Sequence, residues 1–295
     1  MTLLRLYWHH NTMRMTRRKF LKFIGLGLAG MAAATSSSVL YVTQLEPAWF
    51  HVHHQPLHLP RMKGDGLVGL RIVQISDIHI GGWMNRARLD RVVDLSLAQK
   101  PDLVAITGDF VTRFTDKNKD LADLAVVLNR LNKAVPTFYV MGNHDYWFGA
   151  APLRSALEDA GIQELRNSVK SFRRGGSVLH LAGVDDIYAR RDRLSLVLDN
   201  LPPDDPAILM AHEPDYADIS AKNGRFDLQI SGHTHGGQVW LPFVGAPILP
   251  YLGKKYPSGL YRVGEMWQYT NRGVGMASIE VRFNCPPEIT VFTLQ

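Results

Sequence analysis

The chain has 295 residues, 46% hydrophobic and 20% charged, enough to bury a sizeable core in one large domain or two small ones. A formal charge of +6 and a pI near 9.4 suggest nucleic acid or an anionic surface as partner. Residues 1–34 carry Arg5, Arg14, Arg17, Arg18, Lys19 and Lys22 and no acid, which leaves 27 basic against 27 acidic residues in the rest. The body is neutral, so no stable nucleic-acid partner is expected. Cys285 is the single cysteine, which excludes an intramolecular disulfide.

Thr16–Lys22 (TRRKFLK) precedes a Gly/Ala-rich apolar run, Phe23–Ala34. A basic region, a short apolar region and small residues form the plan of an export signal, and the paired arginines resemble a twin-arginine signal. Ala32–Ala34 offers a cleavage site, whereas the apolar residues Val39–Val42 extend the run toward ~20 residues, the span of a bilayer. Residues 1–45 are therefore expected to be a signal or a retained membrane anchor, with the Tat export machinery as partner. The periplasm or the outer face of the inner membrane is the destination. Met13 or Met15 is the more usual start for such a signal.

Residues 46–66 read as an extended lead-in with His51, His53, His54 and His58 along it. The core then opens with the β-rich run Leu70–Ser76, ending in Asp77 and His79. Leu89, Val92, Val93 and Leu97 recur at helical spacing over 86–99, and Pro101 ends that helix. Leu103–Thr107 is a second apolar run, ending in Gly108–Asp109. A further helix carries Leu121, Leu124, Ala125, Leu128 and Leu131, and Thr137–Met141 runs into Gly142–Asn143–His144–Asp145. Near-continuous apolar strands alternating with helices predict a parallel sheet covered on both faces.

A helix is expected over 152–160, capped by Gly161, then a strand at Val178–Val184 with Ser168–Phe172 as a possible partner. A short helix includes Leu194–Leu198. Ala207–Ala211 ends in His212, with Pro214 suited to a helix start, and Asp227–Ser231 ends in Gly232–His233–Thr234–His235. Short apolar runs with Gly/Pro turns give 238–295 an antiparallel character. The simplest account is one α/β catalytic domain at 67–295, with its strands in two stacked mixed sheets flanked by helices.

Asp77, His79, Asp109, Asn143, His212, His233 and His235 thus all follow predicted strands. Carboxylate, imidazole and amide oxygen suit Mn²⁺, Fe, Zn²⁺ or Mg²⁺ rather than a soft thiolate-loving ion. Strand-like alternation would put Asp77 with His79, and His233 with His235, on common sides. The set exceeds what one tetrahedral ion needs, so two divalent ions sharing a bridging carboxylate are expected.

Asp-x-His, Gly-Asp, Gly-Asn-His-Asp, a lone His and Gly-His-x-His, in this order, resemble the calcineurin-like metallophosphoesterase superfamily across 70–240. The resemblance implies a two-sheet sandwich and a phosphoester hydrolase. One ion would be held by Asp77, His79, Asp109 and His235, the other by Asp109, Asn143, His212 and His233. His144 would act at the leaving-group oxygen, oriented by Asp145. Such a pair of ions, ~3.5–4 Å apart, supplies a bridging hydroxide near neutral pH and neutralises the phosphoryl oxygens. Glu46–Phe50, Ser231–Gln238, Thr270–Gly275 and Asn284–Glu288 further resemble the exported bacterial phosphodiesterases of this superfamily.

A metal-dependent phosphodiesterase of the bacterial cell envelope is therefore expected. A phosphomonoesterase or lipid-linked pyrophosphatase on the same ions, and a non-catalytic metal-holding envelope protein, are the alternatives. The apolar segment 240–258 reads either as an ordered loop or as a flap that meets a membrane or lipid tail, leaving open a lipid-linked phosphodiester substrate. Arg272 could meet a phosphate or pair with a carboxylate.

Overall fold

The computed structural model describes residues 15–112 and 116–295, so the alternative start at Met13 lies outside the described residues. The chain forms an N-terminal unit ending at Tyr41 and a body, Val42–Gln295. In the first, helix α1 (Arg17–Leu40) is capped by Thr16, whose hydroxyl accepts from the amide of Lys19. None of its residues is buried, and with the turn that follows it makes one helical run, Arg17–Leu45, in which an 18-residue stretch has a mean hydropathy of 1.5. At 1.5 Å per residue this run is long and apolar enough to cross a bilayer of ~30 Å.

The body is built on two six-stranded sheets. The first takes β1 (His51–Leu57), β2 (Arg71–Ile75), β3 (Leu103–Thr107), β4 (Thr137–Val140), β5 (Gln163–Glu164) and β12 (Glu288–Leu294), in the order β1-β12-β2-β3-β4-β5. The strands β2 to β5 are parallel, and β12 runs antiparallel to β2. The second sheet is β10-β11-β9-β8-β7-β6, from β6 (Ser168–Arg174), β7 (Ser177–Gly183), β8 (Ala207–Met210), β9 (Leu228–Ser231), β10 (Gly259–Val263) and β11 (Met266–Thr270). Here β7, β8, β9 and β11 are parallel, with antiparallel β6 and β10 at the edges.

Period-two alternation assigns the side chains to layers. Ile72, Leu103, Ala105 and Phe138 of the first sheet meet Leu181, Ile208, Met210 and Ile230 of the second between the sheets. The opposite face of the first sheet, with Val73, Ile75, Val104 and Ile106, packs on helices α2 (Arg86–Ala98), α3 (Lys117–Ala134) and α5 (Ala150–Asp159). The periodic residues Leu89, Val92, Val93, Leu124, Leu128 and Leu131 make that contact. On the far side of the second sheet, Ala182 and Leu209 pack against Val197 of α6 (Leu194–Asn200) and Ala217 of α7 (Ala217–Ser220). Between the sheets, Gln74 donates to Ser231 O and Thr107 Oγ1, both at 2.9 Å, tying the ends of β9 and β3 to β2.

Within the stretch 46–66, residues 51–57 are strand β1, paired in parallel with β12 along its whole length. His51 and His53 share one face of this edge strand, and His53 stacks on Tyr269 at 6.1 Å. Glu46 is buried and accepts from the amide of Cys285 at 2.6 Å. This stretch is integral to the body, because β12 needs a partner on its outer edge.

Candidate metal centre

The predicted site segments converge where the C-terminal ends of the two sets of parallel strands meet. Asp77 and His79 follow β2, Asp109 follows β3, and Asn143 and His144 open the short helix α4 (Asn143–Phe148) after β4. His212 follows β8, and His233 and His235 follow β9. The amide of His233 donates to Asp77 at 3.0 Å, which joins the two sheets through the site. Close approach is possible because Gly142 lacks a side chain: a methyl there would overlap the Asp109 carboxylate and come within 2.8 Å of His212 Nε2.

Two buried clusters result, Asp77–His79–His235 and Asp109–His212–His233, each with donor atoms within 4.8 Å of one another. In the first, His235 Nε2 is 3.3 Å from Asp77 Oδ1 and 3.0 Å from His79 Nε2. Asp109 links them, its Oδ2 lying 3.2 Å from His212 Nε2 and 3.6 Å from His79 Nε2. His233 enters the second cluster and His235 the first. Both have left-handed backbones, with φ of 71° and 52°, and Asp77, His79 and Asp109 share that conformation. Each such residue costs of order 1–3 kcal/mol, and concentrated strain of this kind is characteristic of functional sites.

The outer atoms of three of the rings are engaged, so that the inner nitrogens face the clusters. His212 Nδ1 donates to Thr107 O at 2.6 Å, His233 Nε2 donates to Tyr251 O at 2.8 Å, and His79 Nδ1 contacts Thr112 Oγ1. Such outer partners fix tautomer and ring orientation in metal-ligating histidines. Burial pushes the His79 imidazole down to about 3 and lowers His233 and His235 as well, which favours the neutral, ligating form. Burial also disfavours charge on His212, but Asp109 beside it outweighs this and holds its pKa well above the ordinary value. Asn143 Oδ1 is buried without a hydrogen-bond partner. Paired carboxylates, inward imidazoles and an orphaned amide oxygen fit a pair of divalent ions of the nitrogen- and oxygen-preferring kind.

His144 stands beside this set. Its ring meets His79 edge-on at 5.0 Å, its Nδ1 is buried and unpartnered, and its amide donates to Asp109 Oδ1 at 3.0 Å. Asp145 does not orient the His144 ring. Its carboxylate accepts from the amides of Asp109 at 3.0 Å, Phe110 at 2.8 Å, Val111 at 3.2 Å and Gly142 at 2.9 Å. One turn of helix carries the Asp145 side chain back toward the N-terminus, over the Gly142 turn and away from the neighbouring ring. It clamps the loop after β3 to the turn after β4, and so positions Asp109. Asp145→Asn is accordingly expected to lower stability by about 1–3 kcal/mol and metal affinity by about 10–100-fold. Thermal melts and metal titration check this; lost turnover with both unchanged would restore the orienting role.

Arg272 pairs with a carboxylate, its Nε donating to Glu288 at 2.6 Å. The residue that sequence reasoning missed is Arg282, fully buried, which donates to the carbonyls of Cys285, Arg272, Gly273 and Gly275 at 2.7–3.0 Å. It holds the loop whose Gly273 and Gly275 lie against Asp77 and Ile78. An arginine between Val281 and Phe283 was the available signal.

A fold of two mixed sheets, with paired carboxylate–histidine clusters at the ends of its parallel strands, is that of a metal-dependent hydrolase. The calcineurin-like phosphoesterase profile matches residues 70–237, and the chain belongs to that family and is a phosphoester hydrolase. It is 34% identical to the uncharacterized metallophosphoesterase YkuE of Bacillus subtilis, over 96% of this chain and 98% of that one. It is 31% identical to the phosphodiesterase YaeI of Escherichia coli, over 95% and 99%. Among solved structures it is similar to the NAD nucleotidase NadN of Haemophilus influenzae, with a TM-score of 0.46 and 17% identity over 70% of this chain and 45% of that one.

Proposed function

We propose that the protein is a phosphodiesterase of the bacterial cell envelope that works with two divalent ions. The observation that carries the reading is the sharing of Asp109 Oδ2 between His79 and His212. Asp77, His79, Asp109 and His235 would hold one ion, and Asp109, Asn143, His212 and His233 the other. When bound, the ions would supply an activated water and charge neutralisation at the phosphoryl oxygens.

The chain's own residues prepare that chemistry. The clamp made by Asp145 sets Asp109 in place, and the bonds that His212 and His233 donate to the Thr107 and Tyr251 carbonyls aim their rings. His144 faces the cavity beside the clusters and is assigned to the leaving-group oxygen, where a proton donor lowers the barrier. Similarity to YaeI over nearly the whole chain supports the diester as substrate.

Envelope localisation is supported by the Arg17–Arg18 pair at the start of α1 and by the apolar span that follows. Residues 1–45 act as a twin-arginine signal or anchor, and the body, from about 46, is the exported hydrolase. Turnover of bis(4-nitrophenyl) phosphate against 4-nitrophenyl phosphate tests the substrate class. At least tenfold higher kcat/KM on the diester is expected; the reverse ratio would assign a phosphomonoesterase.

A further inference from the structure

Beside the clusters lies a cavity of about 440 Å³ whose wall includes Asn143, His144, His233 and His235. The rest of the wall is largely apolar, with Trp147, Val239, Pro247, Ile248, Ile279 and Val281. An aromatic series leads outward from the site: His144 meets Trp147 at 4.7 Å, Trp147 meets Tyr188 at 5.4 Å, and Tyr188 meets Tyr251 at 6.0 Å. Trp147 and Tyr251 are more than half exposed.

The loop carrying Tyr251 is fixed at its base. Leu252 O accepts from Asp215 N at 3.0 Å, and the amides of Lys254 and Lys255 donate to the Asp215 carboxylate, also at 3.0 Å. Its tip presents Phe243, Val244 and Ile248 at 109%, 71% and 75% exposure, and Phe243 holds a left-handed φ of 66°. Bulky apolar side chains fixed outward around a cavity mouth form a patch that water-soluble surfaces seldom carry, and exposed Trp and Tyr beside it suit a membrane interface.

Val42 is the first residue of the body, and its carbonyl accepts from Arg282 N at 2.9 Å. Arg282 follows the cavity-lining Val281, and the next residue, Phe283, donates to Gln238 O and accepts from Trp240 N. Val42 is thereby held beside the segments of the body that form the rim.

We infer that the substrate is a glycerophospholipid phosphodiester, taken from the bilayer with an acyl chain in this cavity and its phosphate at the metal clusters. This rests on the phosphodiesterase reading. In the reaction water adds at phosphorus, one P–O bond breaks, and the products are a phosphomonoester and an alcohol. The acyl chain replaces water along the apolar wall, so its burial contributes to recognition in proportion to the area covered.

The test uses the full chain in detergent, loaded with Mn²⁺. At least tenfold higher kcat/KM is expected on dihexanoylphosphatidylglycerol than on deacylated glycerophosphoglycerol. The variant F243S/V244S is expected to lose at least fivefold on dioleoylphosphatidylglycerol in mixed micelles and to keep its rate on the dihexanoyl lipid. Equal rates on the acylated and deacylated diesters would overturn the lipid assignment while leaving the phosphodiesterase standing. A dimer in the parent that dissociates in F243S/V244S, with lipid turnover unchanged, would instead assign the rim to a second copy. No turnover of these diesters or of bis(4-nitrophenyl) phosphate would overturn the phosphodiesterase reading, and this one with it.

Discussion

Asp109→Asn is expected to reduce bound metal from two ions per chain to one or none and to lower hydrolysis of a phosphodiester by at least about 10⁴-fold, combining lost charge neutralisation with a lost nucleophile. The geometry gives the reason. Asp109 Oδ2 lies within 4 Å of imidazole nitrogens from both clusters, at 3.2 Å from His212 Nε2 and 3.6 Å from His79 Nε2. Its Oδ1 also accepts from the amide of His144 at 3.0 Å, so the residue ties ligands to the proposed proton donor. Asparagine keeps the shape but removes the charge that two cations would share. Metal analysis on the purified variant checks the first part, and two ions retained with ordinary affinity would remove Asp109 from the bridging position.

His144→Ala is expected to leave metal content at two ions and to lower kcat by about 10²–10⁴-fold, the range for a positioned acid or base. The ring touches the site from outside the two clusters, 5.0 Å from His79, and its cavity-facing position places it where a leaving group would depart. A diester with a highly acidic leaving alcohol needs less proton donation, so the defect is expected to shrink with such a substrate. A variant that lost the ions, or whose defect ignored the leaving group, would give His144 a different task.

Much of this centre was legible because its chemistry lies at strand ends. Parallel strands buried on both faces read as unbroken apolar runs, and the first polar residues after Ile75, Val140 and Ile230 fall at or close to the site. The two-sheet α/β arrangement followed from those runs and from the helical spacing of residues such as Leu124, Leu128 and Leu131. Positions governed by backbone departures were less legible. His233 and His235 read as part of a strand-like segment, whereas both have left-handed φ values. Asp145 looked like a partner for the adjacent His144, whereas its carboxylate reaches back to amides thirty-four to thirty-six positions earlier and to Gly142.

Residues 51–57 gave a weak strand signal because an edge strand needs few apolar residues, and its pairing with β12 depends on the far end of the chain. Arg282 was hidden for a similar reason, since the carbonyls it holds come together only in the folded loop. The aromatic series from His144 to Tyr251 draws on three separate segments and has no sequence period at all.

The most direct test of the central claim is an anomalous difference map from crystals of the Mn²⁺-loaded protein. Two peaks are expected, one among Asp77, His79 and His235, the other among Asn143, His212 and His233, with Asp109 touching both. A single peak, or ions held elsewhere on the chain, would contradict the account.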